Sequence, residues 1–443
     1  MTPDPARRVA ADLVLAVDED GAYSNLVLPR MIRDRRLVPL DAAFATELGY
    51  GTLRWQGVLD EVIGAAARRD VTTLDLPVRA VLRVGTYQLL HTRVPPHAAV
   101  STTVDLTKAL AGHRPAGLVN AVLRKVSQRD WASWSASLAP PDPVGRLAFE
   151  HGHPRWVAEA LLDALAGDLT ELGRALSFDR PTTHLLARPG AIARDALLAE
   201  AGPRAAPGAL SPYAVHLPAG DPGAIQAVRD GRARVQDEGS QLVALALAAA
   251  PVEGEDRRWL DACAGPGGKA SLLAGLLPPG GRLLAGELQP HRAALVTTGL
   301  RGTRAAVVVA DATRPAWRSD SFDRVLADVP CSGLGALRRR PEVRWRRTPA
   351  DVDRLVPLQQ TLLDRAIASA RPGGIVCYAT CSPHPAETTQ IVAHLLAERR
   401  DVEQIDARSA LPGVPELGAG PAAQLWPHRH GTDAMFIALL RRV

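Results

Sequence analysis

The chain has 443 residues, 47% of them hydrophobic and 22% charged, with a formal net charge of +5. That length exceeds one ordinary core and that balance excludes a disordered chain, so two or three globular domains are expected. The opening residues lack the uninterrupted apolar core of a signal peptide, and the longest apolar run, Leu242 to Val252, is short of the roughly 20 residues that span a bilayer. A cytoplasmic protein with no membrane contact is expected, monomeric by default.

The positive excess is almost entirely arginine, since Lys108, Lys125 and Lys269 are the only lysines. Such a moderate excess permits a polyanionic partner without requiring one. The four cysteines are Cys263, Cys331, Cys377 and Cys381, and none forms a CxxC pair or Cys/His cluster of zinc spacing. No metal is expected. A disulfide framework does not suit a cytoplasmic chain either, which leaves packing or catalysis for each thiol.

Residues 1–135 show helical periodicity, as in Val9-Leu13-Val17, Val78-Val81-Leu82 and Leu118-Val122-Val126. Breaks at Val94-Pro95-Pro96 and His113-Arg114-Pro115 divide short helices, so an all-α domain is predicted. Its segments ARRVAADLVLAV, LRVGTYQLL and AGLVNAVLRKV resemble the NusB-type RNA-binding helical domain. That resemblance implies a role in binding RNA; a helical bundle used only for docking is the other reading.

Residues 136–240 are rich in proline and glycine, with strand candidates at Thr183–Arg188 and Tyr213–Leu217. They read as a small α/β connecting subdomain without chemistry of its own. In the remainder, 241–443, strands and helices alternate. Strand candidates are Arg258–Cys263, Arg282–Leu288, Ala305–Asp311, Asp323–Asp328 and Ile375–Thr380. This pattern predicts a parallel, doubly wound, Rossmann-like α/β domain. Ala434–Leu440 is expected to add an antiparallel edge strand.

The first of these strands runs into Cys263-Ala264-Gly265-Pro266-Gly267-Gly268-Lys269 and then a helix. A glycine turn there lets a ligand approach the backbone and the helix N-terminus. The loop is neither GxGxxG nor GxxxxGK[ST], which argues against a dinucleotide or a P-loop nucleotide. Glu287, ending the second strand, is placed to accept both hydroxyls of a ribose, and Asp311, ending the third, to meet an adenine amino group. Loop and acids together describe a nucleoside pocket.

Asp328-Val329-Pro330-Cys331 closes the fourth strand and Ala379-Thr380-Cys381 closes the fifth. Carboxyl ends of adjacent strands face the ligand crevice, so the two thiols should converge there. Cys263 and Cys377 read as packing residues. A thiol has a use in cytosine methylation: addition of a thiolate at C6 makes C5 enamine-like and able to take a methyl group. An acid near N3 assists, and Asp328 is the candidate.

The runs LDACAGPGGKA, FDRVLADVPCSGLGALRRRPEVRW, GGIVCYATCSPHPAE and HGTDAMFIALL resemble the RNA m5C methyltransferase family. With the NusB-like domain in front, the resemblance is to its Sun/Fmu branch, which methylates small-subunit (16S) ribosomal RNA. It implies S-adenosyl-L-methionine (SAM) as cofactor, Cys381 as the nucleophile and Cys331 as the residue that assists release. It further implies that Cys263 through Lys269, Glu287, Asp311 and Asp328 line the SAM site. Two departures stand out. The family's loop usually reads AAPGGK, and Gly265 replaces its second alanine, a change expected to be tolerated; and after Glu287 the family's aspartate-rich stretch reads LQPHRAALV, keeping only Arg292.

Beyond the PCSG loop, Arg338, Arg339, Arg340, Arg344, Trp345 and Arg346 offer phosphate partners and a stacking platform, and are expected to contact RNA. The target cytosine must leave any stack to reach both thiols, so a single-stranded site is expected. Ribosomal RNA is the expected partner and transfer RNA the alternative. A non-catalytic RNA-binding or assembly factor is the competing reading from another class, and a nicotinamide dehydrogenase fits worst, for want of its glycine fingerprint.

Overall fold

Helix starts in the N-terminal half are written in local chemistry. Asp4 accepts a hydrogen bond from Arg7 N, Pro5 occupies the first turn, and Gly21, at φ 65, ends the helix Pro5–Asp20 in the left-handed region. The computed structural model describes residues 3–178 and 181–443. It divides into two compact units, Met1–Ser177 with Leu337–Thr348, and Phe178–Ala336 with Pro349–Val443.

In the first unit the apolar stripes of Pro5–Asp20, Pro39–Ala67, Leu76–His91, Pro96–Ala111 and Ala116–Val126 close on one core that includes Leu13, Leu48, Leu59, Ile63, Leu82 and Leu123. Within it Arg83, 3% exposed, is held by Asp18 at 2.7 Å and Asp60 at 2.6 Å. Buried guanidinium groups require such pairing, because an unpartnered charge in a core costs several kcal/mol, roughly. Helices continue beyond the expected boundary at residue 135, through Pro143–Glu150 and Arg155–Ala164 to Leu169–Ser177.

The second unit holds two sheets. The small one has β1 (Thr183–Ala187), β2 (Ala206–Pro207), β3 (Ala214–Leu217) and β4 (Ala233–Val235), all antiparallel in the order β2-β3-β1-β4. The helix Glu238–Ala249 follows, and buried Glu238 accepts from Leu210 N, Ser211 N and His216 Nε2. His184, His216 and Glu238 lie close enough together to hold a metal ion, but those three donors already occupy both Glu238 oxygens.

The large sheet contains β5 (Arg258–Asp261), β6 (Arg282–Glu287), β7 (Ala305–Val309), β8 (Phe322–Asp328), β9 (Ala370–Thr380), β10 (Val402–Ile405), β11 (Ala423–Gln424) and β12 (Phe436–Arg442). Its order is β10-β12-β9-β8-β5-β6-β7, with β11 beside β12. From β7 to β9 all pairings are parallel, and β8 and β9 are almost wholly buried, as apolar strands covered on both faces must be. β12 is antiparallel as expected, but it is not the edge. The short strand β10 pairs with it, Val402 opposite Arg442, and takes the edge position. Chain order reverses at β5, which lies between β6 and β8, so the ligand crevice opens at the carboxyl ends of these three strands.

Candidate active site

The turn after β5 is built for a ligand to touch backbone. Gly267, at φ 99, starts the helix Gly268–Leu276, and a Cβ there would stand 3.1 Å from Val296 Cα. Gly267 N donates to Ala264 O at 2.6 Å, and Ala264 N to Gly286 O at 2.8 Å. From the small sheet, Arg234 donates to Pro266 O at 3.2 Å and Ser271 Oγ at 3.0 Å, and Ser271 Oγ donates to Gly267 O. Arg234 thus braces the glycine turn, and sequence reasoning passed over it because nothing in Ala233-Arg234-Val235 announces which loop it meets.

Glu287 ends β6 as expected and is 5% exposed. Its Oε2 accepts from Gly265 N at 3.0 Å and its Oε1 from Gln289 N at 2.9 Å. Asp311 lies two residues past the end of β7, exposed. Its Oδ1 accepts from Thr313 N and Oγ1, which pulls its carboxyl below the ordinary range. Asp261, the last residue of β5, is fully buried, and neither carboxylate oxygen has a hydrogen-bond partner. Burial, with Asp328 and Glu287 nearby, pushes it up to about 7. A buried acid whose carboxylate oxygens accept no hydrogen bond, a glycine turn and a helix N-terminus fit a ligand that carries a nucleoside and a cation. SAM is such a ligand.

The strand ends of β8 and β9 bring the two expected thiols into contact, Cys331 Sγ to Cys381 Sγ at 3.4 Å. Lys269 Nζ donates to Asp328 Oδ2 at 2.8 Å. Burial would depress the Lys269 ammonium, but Asp328, Cys381 and Asp261 around it more than reverse this and raise it. Hydrogen bonding from Cys331 lowers the Cys381 thiol against the opposing effect of burial, with Lys269 adding to the lowering. Cys331 is raised well above its usual value by the same hydrogen bond, by burial and by the charges of Cys381 and Glu387. The contact thus favours keeping the proton on Cys331 and ionising Cys381 first. Cys263 and Cys377 are raised by burial, which disfavours their thiolates.

Glu387, buried, fixes the loop that carries Cys331. Its Oε1 accepts from Ser332 N at 2.7 Å and from Gln359 Nε2 at 3.0 Å, and Gln359 also donates to Pro330 O. Ser332 Oγ donates to Glu387 Oε2. Gly335 N donates to Cys381 O at 2.9 Å, an approach a Cβ at 335 would block through the Ala434 carbonyl. Glu387 lies within the GGIVCYATCSPHPAE run, yet that run by itself assigns it no partner.

The arginine run is placed differently from expectation. Residues Leu337–Thr348 belong to the helical unit, not to the methyltransferase sheet. Arg344 is fully buried and donates to Gly152 O at 2.9 Å; Trp345 Nε1 donates to Arg54 O at 3.1 Å and its ring lies on Gly57. Arg346 donates to Val17 O, Gly21 O and Ala22 O, carbonyls at the end of the helix Pro5–Asp20 that no helical N–H can reach. Glu342 accepts from Ser24 N and Oγ at the start of the next helix. Arg338 is buried too, Arg339 half-buried, and Arg340 lies over the Tyr23 ring. Arg344, Trp345 and Arg346, expected to contact RNA, give these donors to backbone carbonyls of the helical unit and form a clasp within it, and Arg338 is buried.

Residues 246–441 match the family described as 16S rRNA methyltransferase RsmB/F, and residues 4–128 match the NusB family. A Mycobacterium tuberculosis protein named as a methyltransferase is 54% identical, over 99% of this chain and 97% of its own. Ribosomal RNA small subunit methyltransferase B of Escherichia coli is 33% identical over 98% of both chains. The crystal structure of PH0851 superposes with a TM-score of 0.82 at 21% identity, over 100% of this chain and 99% of that one.

Proposed function

Because the chain belongs to the 16S rRNA methyltransferase RsmB/F family, we propose that it transfers a methyl group from SAM to C5 of a cytosine in small-subunit ribosomal RNA, through a covalent bond from Cys381 to C6. The observation that carries this reading is the contact of two thiols, one lowered and one raised, beside Lys269 and Asp328. When bound, SAM supplies an electrophilic methyl group. The residues Cys263 through Lys269, with Glu287 and Asp311, would hold it, and Asp261 would face its positive charge.

The chain's own groups account for the remaining protons and electron pairs. Cys381 thiolate adds to C6, and the electron pair displaced into the ring is met by a proton at N3, exchanged through Asp328. C5, now nucleophilic, forms the new carbon–methyl bond as the methyl–sulfur bond of the donor breaks with its electron pair going to sulfur, and N3 gives back its proton through Asp328. Elimination then needs a base for the C5 proton, and Cys331 is in place for it. Its thiol is held protonated mainly by the Cys381 anion, and that anion vanishes once Cys381 is bonded to carbon. Cys331 can then ionise, giving its proton to solvent, and takes the C5 proton in its place, while the electron pair of the C5–H bond re-forms the C5–C6 double bond, the C6–sulfur bond breaks and Cys381 leaves as thiolate. The enzyme is thereby returned to its starting charge state.

The test uses SAM with a labelled methyl group and in vitro transcribed small-subunit ribosomal RNA, with wild type, Cys381→Ala and Cys331→Ala in parallel. Methylation by wild type alone, with a denaturation-resistant RNA–protein adduct from Cys331→Ala, is the expected result. Continued methylation by Cys381→Ala, with a dead and adduct-free Cys331→Ala, would reverse the two roles. Labelling of transfer RNA in place of ribosomal RNA would leave the chemistry intact and overturn the substrate.

A further inference from the structure

Gly265 and Glu287 make contact in a way that neither residue's position in the chain suggests. Gly265 N donates to Glu287 Oε2 at 3.0 Å, Gln289 N donates to Oε1 at 2.9 Å, and Arg292 Nη2 donates to Gly265 O at 2.5 Å. A Cβ placed on Gly265 would overlap Glu287 Oε2 outright and would stand 2.8 Å from Arg292 Nε and from Glu287 Cδ. Unlike Gly267, Gly265 is not among the glycines with positive φ, so its backbone would accept an L side chain. What excludes a side chain is the glutamate.

We infer that Gly265 and Glu287 are a matched pair that sets the affinity for the cofactor's ribose: the space of the missing methyl group at 265 seats a carboxylate that needs a glutamate's length to reach it. The backbone donors Gly265 N and Gln289 N use one acceptor position on each oxygen. Each carboxylate oxygen keeps a second lone pair, so two acceptors remain for the two hydroxyls of a ribose. Orientation by fixed backbone donors lowers the entropy lost when the ligand binds. Alanine at 265, the residue usual in the resembling loops, would push the carboxylate out of its seat without disturbing the turn. An aspartate at 287, one methylene shorter, would leave the seat empty and so make room for that alanine. The departure expected to be tolerated at Gly265 is on this view tied to the acid opposite it.

This rests on the assignment of Glu287 to the ribose, and the experiment separates the two. The full chain, without RNA, is titrated calorimetrically with S-adenosylhomocysteine and with its 2′-deoxy analogue. Variants are Gly265→Ala, Glu287→Asp, Glu287→Ala and the double Gly265→Ala/Glu287→Asp. The expected result is about a tenfold loss of affinity for Gly265→Ala and for Glu287→Asp, with the double variant no weaker than either single one, where independent effects would multiply to about a hundredfold. Gly265→Ala should also lose the wild type's preference for the intact ribose, a ratio that partial misfolding does not change. Wild-type affinity and preference in Gly265→Ala, or a double variant weakened by the full product, overturns the pairing. Glu287→Ala binding both ligands as wild type does overturns the ribose assignment, and the pairing with it. Neither Cys331 nor Cys381 forms a bond in these titrations, so they stand apart from the covalent chemistry.

Discussion

Cys331 and Cys381 end neighbouring parallel strands, and their sulfurs touch at 3.4 Å, yet the hydrogen bond between them moves the two thiols in opposite directions. Around Cys381 the Lys269 cation opposes the carboxylates of Asp328 and Asp433; around Cys331 Glu387 adds a further anion, whose oxygens hold the Ser332 backbone and hydroxyl. Two identical side chains are thus driven apart by their own contact, and residues from other elements add to the difference: Lys269 from the first turn of the helix after β5, and Glu387 from the turn before the helix Thr389–Glu398. A thiol's reactivity is set by what stands around it. The comparison of the two strand ends can be broken or sharpened by four substitutions.

The largest effect is expected from Lys269→Gln. Loss of the ammonium removes a cation beside Cys381 and leaves the Asp328 carboxylate without its partner, and both changes raise the thiol. Methyl transfer should fall about a hundredfold at neutral pH, and the rising limb of the pH–rate profile should move to higher pH. An unchanged profile would mean that Cys331 alone determines the thiolate.

On the other strand end, Glu387→Gln keeps the shape but weakens the acceptors for Ser332. About a tenfold fall in kcat is expected, with KM for SAM unchanged, because the loop carrying Cys331 loses its anchor and the cofactor turn does not. A matching loss in SAM affinity would show that Glu387 supports the whole crevice and not one thiol.

Asp261 sharpens the comparison by pH. Its folded value of about 7 lies above the ordinary 3.8, so the native state binds the extra proton and stability falls as pH rises from about 4 through about 7. Asp261→Asn should abolish that fall and melt later than wild type at pH 8, while binding SAM severalfold more weakly. In wild type, SAM affinity should rise through the same range as the carboxylate ionises, and in Asp261→Asn it should be flat. A wild-type affinity indifferent to pH would detach Asp261 from the cofactor.

The smallest effect should come from Arg346→Ala, whose partners all lie in the helical unit. The helix Pro5–Asp20 would lose a donor to three terminal carbonyls, a cost of about 1–2 kcal/mol in unfolding experiments. SAM binding should not change. If instead stability is untouched and RNA affinity drops, the arginine contacts RNA and the clasp is incidental.

Much of this molecule was legible in its residue order. Periodicity announced the helical unit and the alternating strands, and the ends of β6, β8 and β9 put Glu287, Asp328, Cys331 and Cys381 on one rim, because strand ends in a parallel sheet share a face. β12 was legible as an added antiparallel strand, but its neighbour was not: β10 is four residues long and carries too short a pattern to read.

What depended on atoms far apart in the chain was decided only by the tertiary structure. The arginine run looked like an RNA face because six like charges near a cysteine loop have no local partner in sequence; folded, Arg344 and Arg346 meet carbonyls nearly 200 and more than 300 residues away. Gly265 looked interchangeable with alanine because the change is small, and only the carboxylate of Glu287 across the turn makes it otherwise. The sequence by itself determined which elements form and which chemistry-bearing residues end them, since periodicity and capping are local. Which cation faces which thiol, and which glycine makes room for which acid, are matters of side-chain contact across the fold, and no local pattern encodes them.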